Sequence, residues 1–408
     1  MRRVLFVDDD QQMLEGLQRV LRSNRQEWEM AFAQGGEAAL AVLDCSSFDV
    51  IVTDMRMPGM DGAELLEKVR QHHPQVVRII LSGYVDLQAT FRAVPVAHQF
   101  LLKPCNAGML RVAIERACSS QNILHDPALA RSMGTLGELP SAPRVYTALT
   151  QALQDPEVSL QDVAAIVEQD VAIAAKVLQL VNSAFFGLAQ NISSVQRAVA
   201  YLGITVLQSL VATAEAFRMF QQAQRIVGFS IDEFQEHAQL AVRISGMFSL
   251  PKYLADSAAM ASLLHDVGKL VLAARLPKQF GKAIALAREQ HRPLYCVEQE
   301  IYGVSHAEVG AYLLGLWGLP SFVTEAVAHH HAPTRVSHQS LDAVGVVYMA
   351  NLLAHTARAS AFGLCCEPVN QVLLQDLGIT EQYLGWEQEA LRIGAELSAS
   401  ATGKAGAE

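Results

Sequence analysis

The segment VIVTDMRMPGMDG, residues 50–62, constrains the fold of this chain more than any other stretch. It begins with a short apolar run that ends in an acid, Asp54, and then turns through Pro58, Gly59 and Gly62. An apolar run bounded by turn residues is typical of a buried parallel strand. Open α/β sheets place their functional groups at the carboxyl ends of such strands. We therefore expect Asp54 to lie at the functional edge of a parallel sheet.

A second apolar run ends in acids near the start of the chain. Residues 4–7 are apolar, and Asp8, Asp9 and Asp10 follow them. Strands that alternate with helical patterns form right-handed βαβ units, so both strand ends can lie side by side in one sheet. Converging carboxylates repel one another unless a cation neutralises them, and oxygen ligands suit Mg²⁺. A Mg²⁺ ion beside a carboxylate is also what transfer of a phosphoryl group onto that carboxylate requires.

Two further predicted strands end in polar residues of a different kind. Residues 79–81 lead into Ser82, and residues 100–102 lead into Lys103. A hydroxyl and an ammonium group at neighbouring strand ends can both hold the oxygens of a phosphoryl group. The pattern therefore predicts a single edge of the sheet that is suited to phosphoryl chemistry.

With these residues, positions 1–120 resemble the receiver domain of two-component response regulators, which has an α/β doubly wound parallel sheet. The resemblance implies that Asp8 and Asp9 are the acidic pair and that Asp54 is the phosphoacceptor. It also implies that Ser82 is the switch hydroxyl, Phe100 the switch aromatic residue and Lys103 the lysine of the site. It also implies Mg²⁺ bound by one acid of the pair, the phosphoacceptor and the backbone carbonyl of Arg56. The phosphoryl group would come from a cognate histidine kinase in a bacterial phosphorelay. Taken singly, each of these residues could be an ordinary polar strand end.

Length and composition indicate more than one domain. With 408 residues, the chain exceeds the usual size of a single core. Its formal net charge of −10 argues against a nucleic-acid-binding surface, which needs clustered Lys and Arg. The six cysteines are scattered without a CxxC pair, which fits a reducing cytoplasm. We expect neither a signal peptide nor a membrane helix, because no run reaches the ~18 uninterrupted apolar residues that a membrane helix requires.

The rest of the chain is predicted to be helical. We expect a polar linker at 121–134, a helical domain at 135–335, a helical extension at 336–397 and a disordered tail at 398–408. One helix is predicted over residues 160–169, and Asp170 caps the next. Lys176 and Arg197 are the only charged residues between positions 172 and 214. Such an apolar helix pair is either buried core or an interface with the N-terminal domain.

Three blocks of this region resemble the HDOD domain, an all-α branch of the HD superfamily. They are NSAFFG at 182–187, ISSVQRAVAYLG at 192–203 and LLHDVGKL at 263–270. The resemblance implies an output domain that binds a downstream protein partner, and it leaves a homodimer open.

Membership of the HD superfamily also raises the question of a metal site. His265 and Asp266, followed by Lys269, could bind a divalent metal together with His237 and a distant acid. Asn351 stands where that acid is expected, so the site would lose one negative charge. Further imidazole ligands, as in the metal-rich phosphodiesterase branch, could come from His306, His330 and His331. The Gly-Tyr-Pro signature of that branch is missing after these histidines.

These residues leave several interpretations open. The HD residues could be a hydrogen-bonded core pair, a non-catalytic metal site or a catalytic metal centre. The chain could accordingly be a phosphorylation-controlled signalling protein, or a phosphorylation-controlled hydrolase of a nucleotide or cyclic dinucleotide. Asn351 favours the signalling protein, and no basic recognition helix supports a DNA-binding regulator. On phosphorylation, we expect Phe100 to turn inward and the face around residues 84–92 to change its contacts.

Overall fold

The computed structural model describes residues 1–83, 93, 96–103, 107–121, 143–155, 157–182, 192–212, 226–336, 338, 340–358 and 368–405. The predicted switch face at 84–92 and most of the first HDOD block, 183–187, lie outside these residues. So does the predicted linker beyond residue 121.

The N-terminal part contains a five-stranded parallel sheet. Its strands are β1 (Arg2–Asp8), β2 (Trp28–Gln34), β3 (Val50–Asp54), β4 (Val77–Gly83) and β5 (Gln99–Lys103). Their order across the sheet is β2-β1-β3-β4-β5. The acids that end β1 and β3 are neighbours because Val7 pairs with Thr53. On the other side of β3, Gly83 of β4 pairs with Lys103 of β5. The predicted doubly wound parallel sheet is confirmed.

Strand β2 was not predicted from the sequence. It lies at the edge of the sheet and pairs with β1 alone. Only Trp28 and Ala33 of its seven residues are fully buried. An edge strand of this kind lacks the continuous apolar run that identifies a central parallel strand.

Helices lie between the strands and follow the last one. They are α1 (Gln11–Val20), α2 (Gly36–Cys45), α3 (Gly62–His72) and α4 (Ala107–Gln121), with a 3₁₀ helix at Leu21–Gln26. Helix α4 reaches Gln121, the first residue of the predicted linker. Its buried residues Leu110, Ala113 and Ile114 pack on the core.

The remainder of the described chain is helical, as predicted. Its helices are α5 (Pro143–Ala152), α6 (Leu160–Val167), α7 (Val171–Asn182), α8 (Val195–Ala212), α9 (Ile231–Ser245), α10 (Lys252–Leu264), α11 (Val267–Arg275), α12 (Pro277–Gln290), α13 (Leu294–Tyr302), α14 (His306–Leu316), α15 (Ser321–His329), α16 (Ala343–Ala357), α17 (Gln371–Asp376) and α18 (Thr380–Ala405). A second 3₁₀ helix covers Pro333–Arg335.

The tail differs from the prediction of disorder at 398–408. Helix α18 continues through Ala405. The segment after Leu397 is rich in alanine, which has the highest intrinsic helix propensity, so small residues here extend the helix rather than end it. Residues 406–408 lie outside the described part of the chain.

Helix α7 is both core and interface. The Asp170 side chain caps it as predicted, accepting hydrogen bonds from the backbone N–H groups of Ala172 and Ile173. Every residue from Val171 to Val181 is buried. Gln179, near its end, donates a hydrogen bond to the backbone carbonyl of His98, the residue before β5. Helix α7 is therefore buried core and also contacts the N-terminal domain, the two alternatives that the sequence left open.

One stretch among the described residues has the length and composition of a membrane span. It is Lys252–Arg275, with a mean hydropathy of 1.2. Within the structure, 89% of that window is buried inside the protein. This stretch forms α10 and α11, whose apolar residues pack internally against neighbouring helices.

Candidate functional sites at the sheet edge and in the helical domain

The first site lies at the carboxyl edge of the sheet. Asp8 ends β1, Asp54 ends β3 and Lys103 ends β5. Lys103 Nζ lies 2.8 Å from Asp8 Oδ2 and forms an ion pair with Asp54 Oδ1. The structure thus brings together three of the residues predicted for phosphoryl chemistry, with one ammonium group bridging two carboxylates.

Burial and charge shift the ionisation of this site. Burial raises the pKa of Asp54, and the Lys103 ammonium offsets only part of that effect. Burial alone would lower the pKa of Lys103, but hydrogen bonds and charge from Asp54 and Asp8 outweigh it and raise the pKa. A further cation at this edge would therefore stabilise the ionised form of Asp54.

The other predicted receiver residues surround this centre in different ways. Asp9 and Arg56 are exposed at the rim, where the Arg56 backbone N–H donates to Asp54 Oδ2 at 2.9 Å. Ser82 is fully buried at the end of β4. Phe100 is 1% exposed, so in this state its ring is part of the core and is not accessible to solvent.

The second site is centred on His265 and Asp266. These residues lie at the junction between α10 and α11. Gly268 permits the junction to approach α14, because a Cβ atom on Gly268 would lie 1.9 Å from the carbonyl oxygen of His306. A side chain at that position would push the two helices apart.

Hydrogen bonds fix the orientation of three imidazoles in this site. Nδ1 of His265 lies 2.7 Å from the carbonyl oxygen of Ser262, and Nδ1 of His330 lies 2.7 Å from that of Val327. A carbonyl oxygen only accepts, so each Nδ1 carries the proton and each Nε2 keeps a lone pair. The third imidazole, His306, places Nδ1 2.6 Å from Glu298 Oε2. Metal-binding histidines are usually oriented in this way by their second nitrogen.

The free edges of the imidazoles converge on the Asp266 carboxylate. The distances from Asp266 Oδ2 are 3.4 Å to His265 Nε2 and 3.8 Å to His237 Nε2, and those from Asp266 Oδ1 are 3.1 Å to His306 Nε2 and 3.6 Å to His330 Nε2. His331 Nε2 lies 2.9 Å from His306 Nε2. Two sets with the spacing of a metal site share Asp266: His237 and His265 on one side, and His306, His330 and His331 on the other. We call these residues the histidine cluster.

Asn351 and Lys269 both contact the cluster. Asn351 Oδ1 lies 3.0 Å from His237 Nε2, so its amide oxygen faces the cluster without a charge. Lys269 Nζ donates to Asp266 Oδ2 at 2.5 Å. Burial would raise the pKa of Asp266, but Lys269 and His265 outweigh it and hold the pKa well below its usual range.

The imidazoles respond unequally to burial. Burial lowers the pKa of His330 to about 4 and keeps the pKa of His237 and His331 well below the usual range. His306 differs, because Glu298 and Asp266 on either side outweigh burial and raise its pKa. The cluster therefore combines mostly neutral imidazoles with one that favours a proton.

Two residues that contact the cluster were missed by the sequence analysis. Glu298 is fully buried on α13 and holds both the backbone N–H and Nδ1 of His306. The ring of His355 packs against that of His237 at an interplanar angle of 34°, with centroids 4.4 Å apart. His355 follows Asn351 by one helical turn, which could have indicated it, whereas Glu298 carries no local sequence signal.

The chain matches two protein families. Residues 4–115 match the response regulator receiver domain, and residues 139–333 match the HDOD domain. An uncharacterized protein of Treponema pallidum (strain Nichols) is 29% identical over 224 residues, which are 53% of this chain and 42% of that protein. The DNA-binding transcriptional regulator NtrC of Salmonella typhimurium is 32% identical over 148 residues, 35% of this chain and 31% of that protein. The chain thus spans less than half the length of these curated relatives.

Two solved structures are also similar to parts of this chain. The MmoQ response regulator from Methylococcus capsulatus is 19% identical, with a TM-score of 0.47 over 62% of this chain and 98% of that one. The signal receiver domain of an HD domain-containing protein from Pseudomonas fluorescens is 28% identical, with a TM-score of 0.28 over 30% of this chain and 97% of that one. With the two family matches in separate parts of the chain, this protein is a response regulator in which a receiver domain precedes an HDOD output domain.

Proposed function

We propose that Asp54 accepts a phosphoryl group in the presence of Mg²⁺ and that this modification controls the HDOD domain. The observation that carries the proposal is the position of Lys103, whose ammonium group bridges Asp8 and Asp54 at the open edge of the sheet. The phosphodonor would be a cognate histidine kinase, as the receiver domain implies.

The chemistry follows from the residues at this edge. A carboxylate oxygen of Asp54 attacks phosphorus and forms a P–O bond. The P–N bond of the donor phosphohistidine breaks, and its electron pair leaves with the imidazole, which takes a proton from solvent. Lys103 and the hydroxyl of Ser82 would then hold phosphoryl oxygens. Asp8, Asp54 and the carbonyl oxygen of Arg56, with Asp9 at the rim, would hold Mg²⁺. The ion would neutralise charge on the phosphoryl oxygens.

The test is phosphorylation of the whole protein by a small phosphodonor. With Mg²⁺ present, intact-mass measurement should find one added phosphate, and chelation of Mg²⁺ should prevent it. Asp54→Asn should abolish the addition, whereas Asp61→Asn, at an exposed helix cap nearby, should leave it unchanged. Equal labelling of the Asp54→Asn protein would refute the assignment.

For the HDOD domain, we propose a signalling role in which the histidine cluster holds one or two divalent metal ions without hydrolysis. The donor set fits an ion, because Asp266 Oδ1 and His330 Nε2 are buried without a hydrogen-bond partner in the described part of the chain. The candidate ligand atoms of each set lie within 4.8 Å of one another, which is close enough to share one ion. A bound cation would satisfy these lone pairs.

Asn351 is the argument against hydrolysis. An HD phosphohydrolase uses its metal ions to activate water. The neutral amide of Asn351 removes one ligand charge on the His237 side of the cluster. We therefore expect the protein not to hydrolyse nucleotides or cyclic dinucleotides. Hydrolysis that disappears in a His265→Ala protein would contradict this expectation. Output would instead proceed through a downstream protein partner in the cytoplasm, or through a homodimer, without nucleic acid or membrane contact.

A further inference from the structure

The two domains are joined by hydrogen bonds at the start of β5, the end of the strand opposite to the phosphoacceptor. The side-chain amide of Gln99 donates to the carbonyl oxygen of Leu316 at 3.1 Å. The side-chain amide of Gln179 donates to the carbonyl oxygen of His98 at the same distance. We call these two hydrogen bonds the domain latch. Gly318 leaves room for Gln99, since a Cβ atom at its φ of +74° would lie 3.3 Å from the Gln99 amide carbon.

The latch is supported on both sides by buried charged groups. On the receiver side, Arg78 is fully buried, and its guanidinium donates to the carbonyl of Val96 at 2.6 Å and lies 2.9 Å from His98 Nε2. On the HDOD side, Lys176 donates to Gln179 Oε1 at 3.1 Å and lies over the ring of Trp317. Buried hydrogen-bonded networks of this kind are stiff, because a lost bond leaves a polar group without solvent.

Two rigid elements lead from the latch to the two sites. Strand β5 runs from Gln99 to Lys103, a rise of about 13 Å at ~3.3 Å per residue. Helix α14 runs from Leu316 back to His306, about 15 Å at ~1.5 Å per residue. Lys103 contacts Asp54, and His306 contacts Asp266. The phosphoacceptor and the histidine cluster are therefore connected through one strand, the latch and one helix.

We propose that the domain latch transmits the phosphorylation state of Asp54 to α14 and thereby repositions His306 in the histidine cluster. The proposal rests on the proposed phosphorylation of Asp54. A phosphoryl group at Asp54 draws Lys103 toward itself, and β5 moves with Lys103. Both latch hydrogen bonds are already formed without the phosphoryl group. A shift of β5 lengthens the bond from Gln99 to Leu316 at the end of α14. It also lengthens the bond from Gln179 to His98, which is linked through Lys176 to Trp317, the residue after α14. Lengthening both releases α14.

The experiment is hydrogen exchange of the full-length protein with Mg²⁺, with and without beryllofluoride as the phosphoryl mimic. The measured segment is residues 306–319, which contains α14 and the carbonyl of Leu316. In the wild-type protein, beryllofluoride should speed exchange there by about fivefold or more, the lower range of allosteric coupling. The Asp54→Asn protein should show no such change.

Matched glutamine variants isolate the latch. Gln99→Met and Gln179→Met each remove one donor with little change in side-chain volume, from opposite sides of the contact. Both proteins should exchange faster in residues 306–319 without beryllofluoride and respond little when it is added. Gln208→Met is the control, because Gln208 also donates to a carbonyl, that of Leu153, but within the HDOD domain alone. It should respond like wild type.

Two results would overturn the proposal. One is a wild-type response of residues 306–319 in both latch variants. The other is protection around Asp54 in the wild-type protein without any change in residues 306–319. With that second result, the assignment of Asp54 as phosphoacceptor would stand and only the latch proposal would fail. If beryllofluoride changes nothing, even around Asp54, the proposed function fails and the latch proposal fails with it.

Discussion

The sheet-edge site and the histidine cluster both centre on aspartate and lysine, yet one is open and the other is closed. At the sheet edge, the rim residues Asp9 and Arg56 are exposed. In the cluster, Asp266 is 1% exposed and His265 is fully buried. A group that exchanges phosphate with another protein must be reachable, whereas a group that holds an ion permanently is better shielded from water. The two sites therefore differ in what they can exchange.

They also differ in how charge is balanced. At the sheet edge, one ammonium group, that of Lys103, serves both Asp8 and Asp54, which leaves an excess of negative charge. In the cluster, Lys269 pairs with Asp266, and several imidazoles surround that carboxylate. The first arrangement calls for an additional cation, while the second is already close to neutral without one. Removing the central acid should therefore lower the free energy of unfolding much more in the cluster than at the sheet edge.

The largest expected effect is on stability. Asp266→Asn leaves the buried ammonium of Lys269 without its carboxylate, and breaking a buried pair in this way should lower the free energy of unfolding by ~3–5 kcal/mol. Asp54→Asn removes a carboxylate whose pKa is raised by burial, while Lys103 keeps Asp8, so stability should stay within about 1 kcal/mol of wild type. Denaturant unfolding of the three proteins measures both changes. Equal losses in the two variants would erase the distinction between the sites.

The next largest effect is the loss of stability of the metal-free protein at acid pH. The pKa of His330 is about 4 in the folded chain against 6.5 in the unfolded chain, which corresponds to roughly 3 kcal/mol. Because the unfolded chain binds the proton first, this stability is lost as the pH falls from about 6.5 to 4. Asp54 has the opposite sign: its pKa is raised, so its contribution is present at low pH and is lost as the pH rises through the folded value.

Denaturant unfolding between pH 7 and pH 4, with a chelator present, tests this response. His330→Asn keeps a donor for the Val327 carbonyl but does not titrate, so it should flatten the acid limb of the profile. An unchanged limb would mean that His330 is not the buried neutral group. Asp54→Asn should keep that limb and make it steeper, because it removes a contribution of the opposite sign.

The smallest effect concerns the missing charge of the cluster. Asn351→Asp should raise the affinity for Mn²⁺ or Co²⁺ by roughly tenfold, a size typical of changes around metal ligands. Calorimetric titration of metal-free protein measures it. Asn370→Asp, at the cap of α17 and outside the cluster, is the matched control and should leave the affinity unchanged. If Asn351→Asp has no effect, Asn351 is not positioned as a ligand.

The sheet edge could be predicted residue by residue because each polar group there follows an apolar run directly. Asp8, Asp54, Ser82 and Lys103 are all strand ends, and parallel strands align their ends by hydrogen bonding alone. The edge strand β2 was missed because its mostly half-buried residues give no continuous apolar signal. Residues 84–92, proposed from the sequence as the changing face, lie outside the described part of the chain.

The cluster and the latch were less predictable for a physical reason. The family resemblance identified its histidines, but Glu298 was not recognisable because a buried acid on a separate helix leaves no periodic pattern. The contact between Gln99 and Leu316 joins residues 217 positions apart. Such contacts depend on how two folded domains pack, which local propensity and spacing do not encode.

The packing of α4 against α14 extends a single hydrophobic core from β1 to α16. Response regulators are assembled by pairing a receiver with an output domain, but here the receiver is not a detachable unit. An isolated receiver would expose apolar surface that α14 now covers, and aggregation would follow. Exchange of this receiver for another would require compensating changes on α4, at Gln99 and at Gly318 together. Recombination with unrelated output domains is therefore restricted by the fold itself.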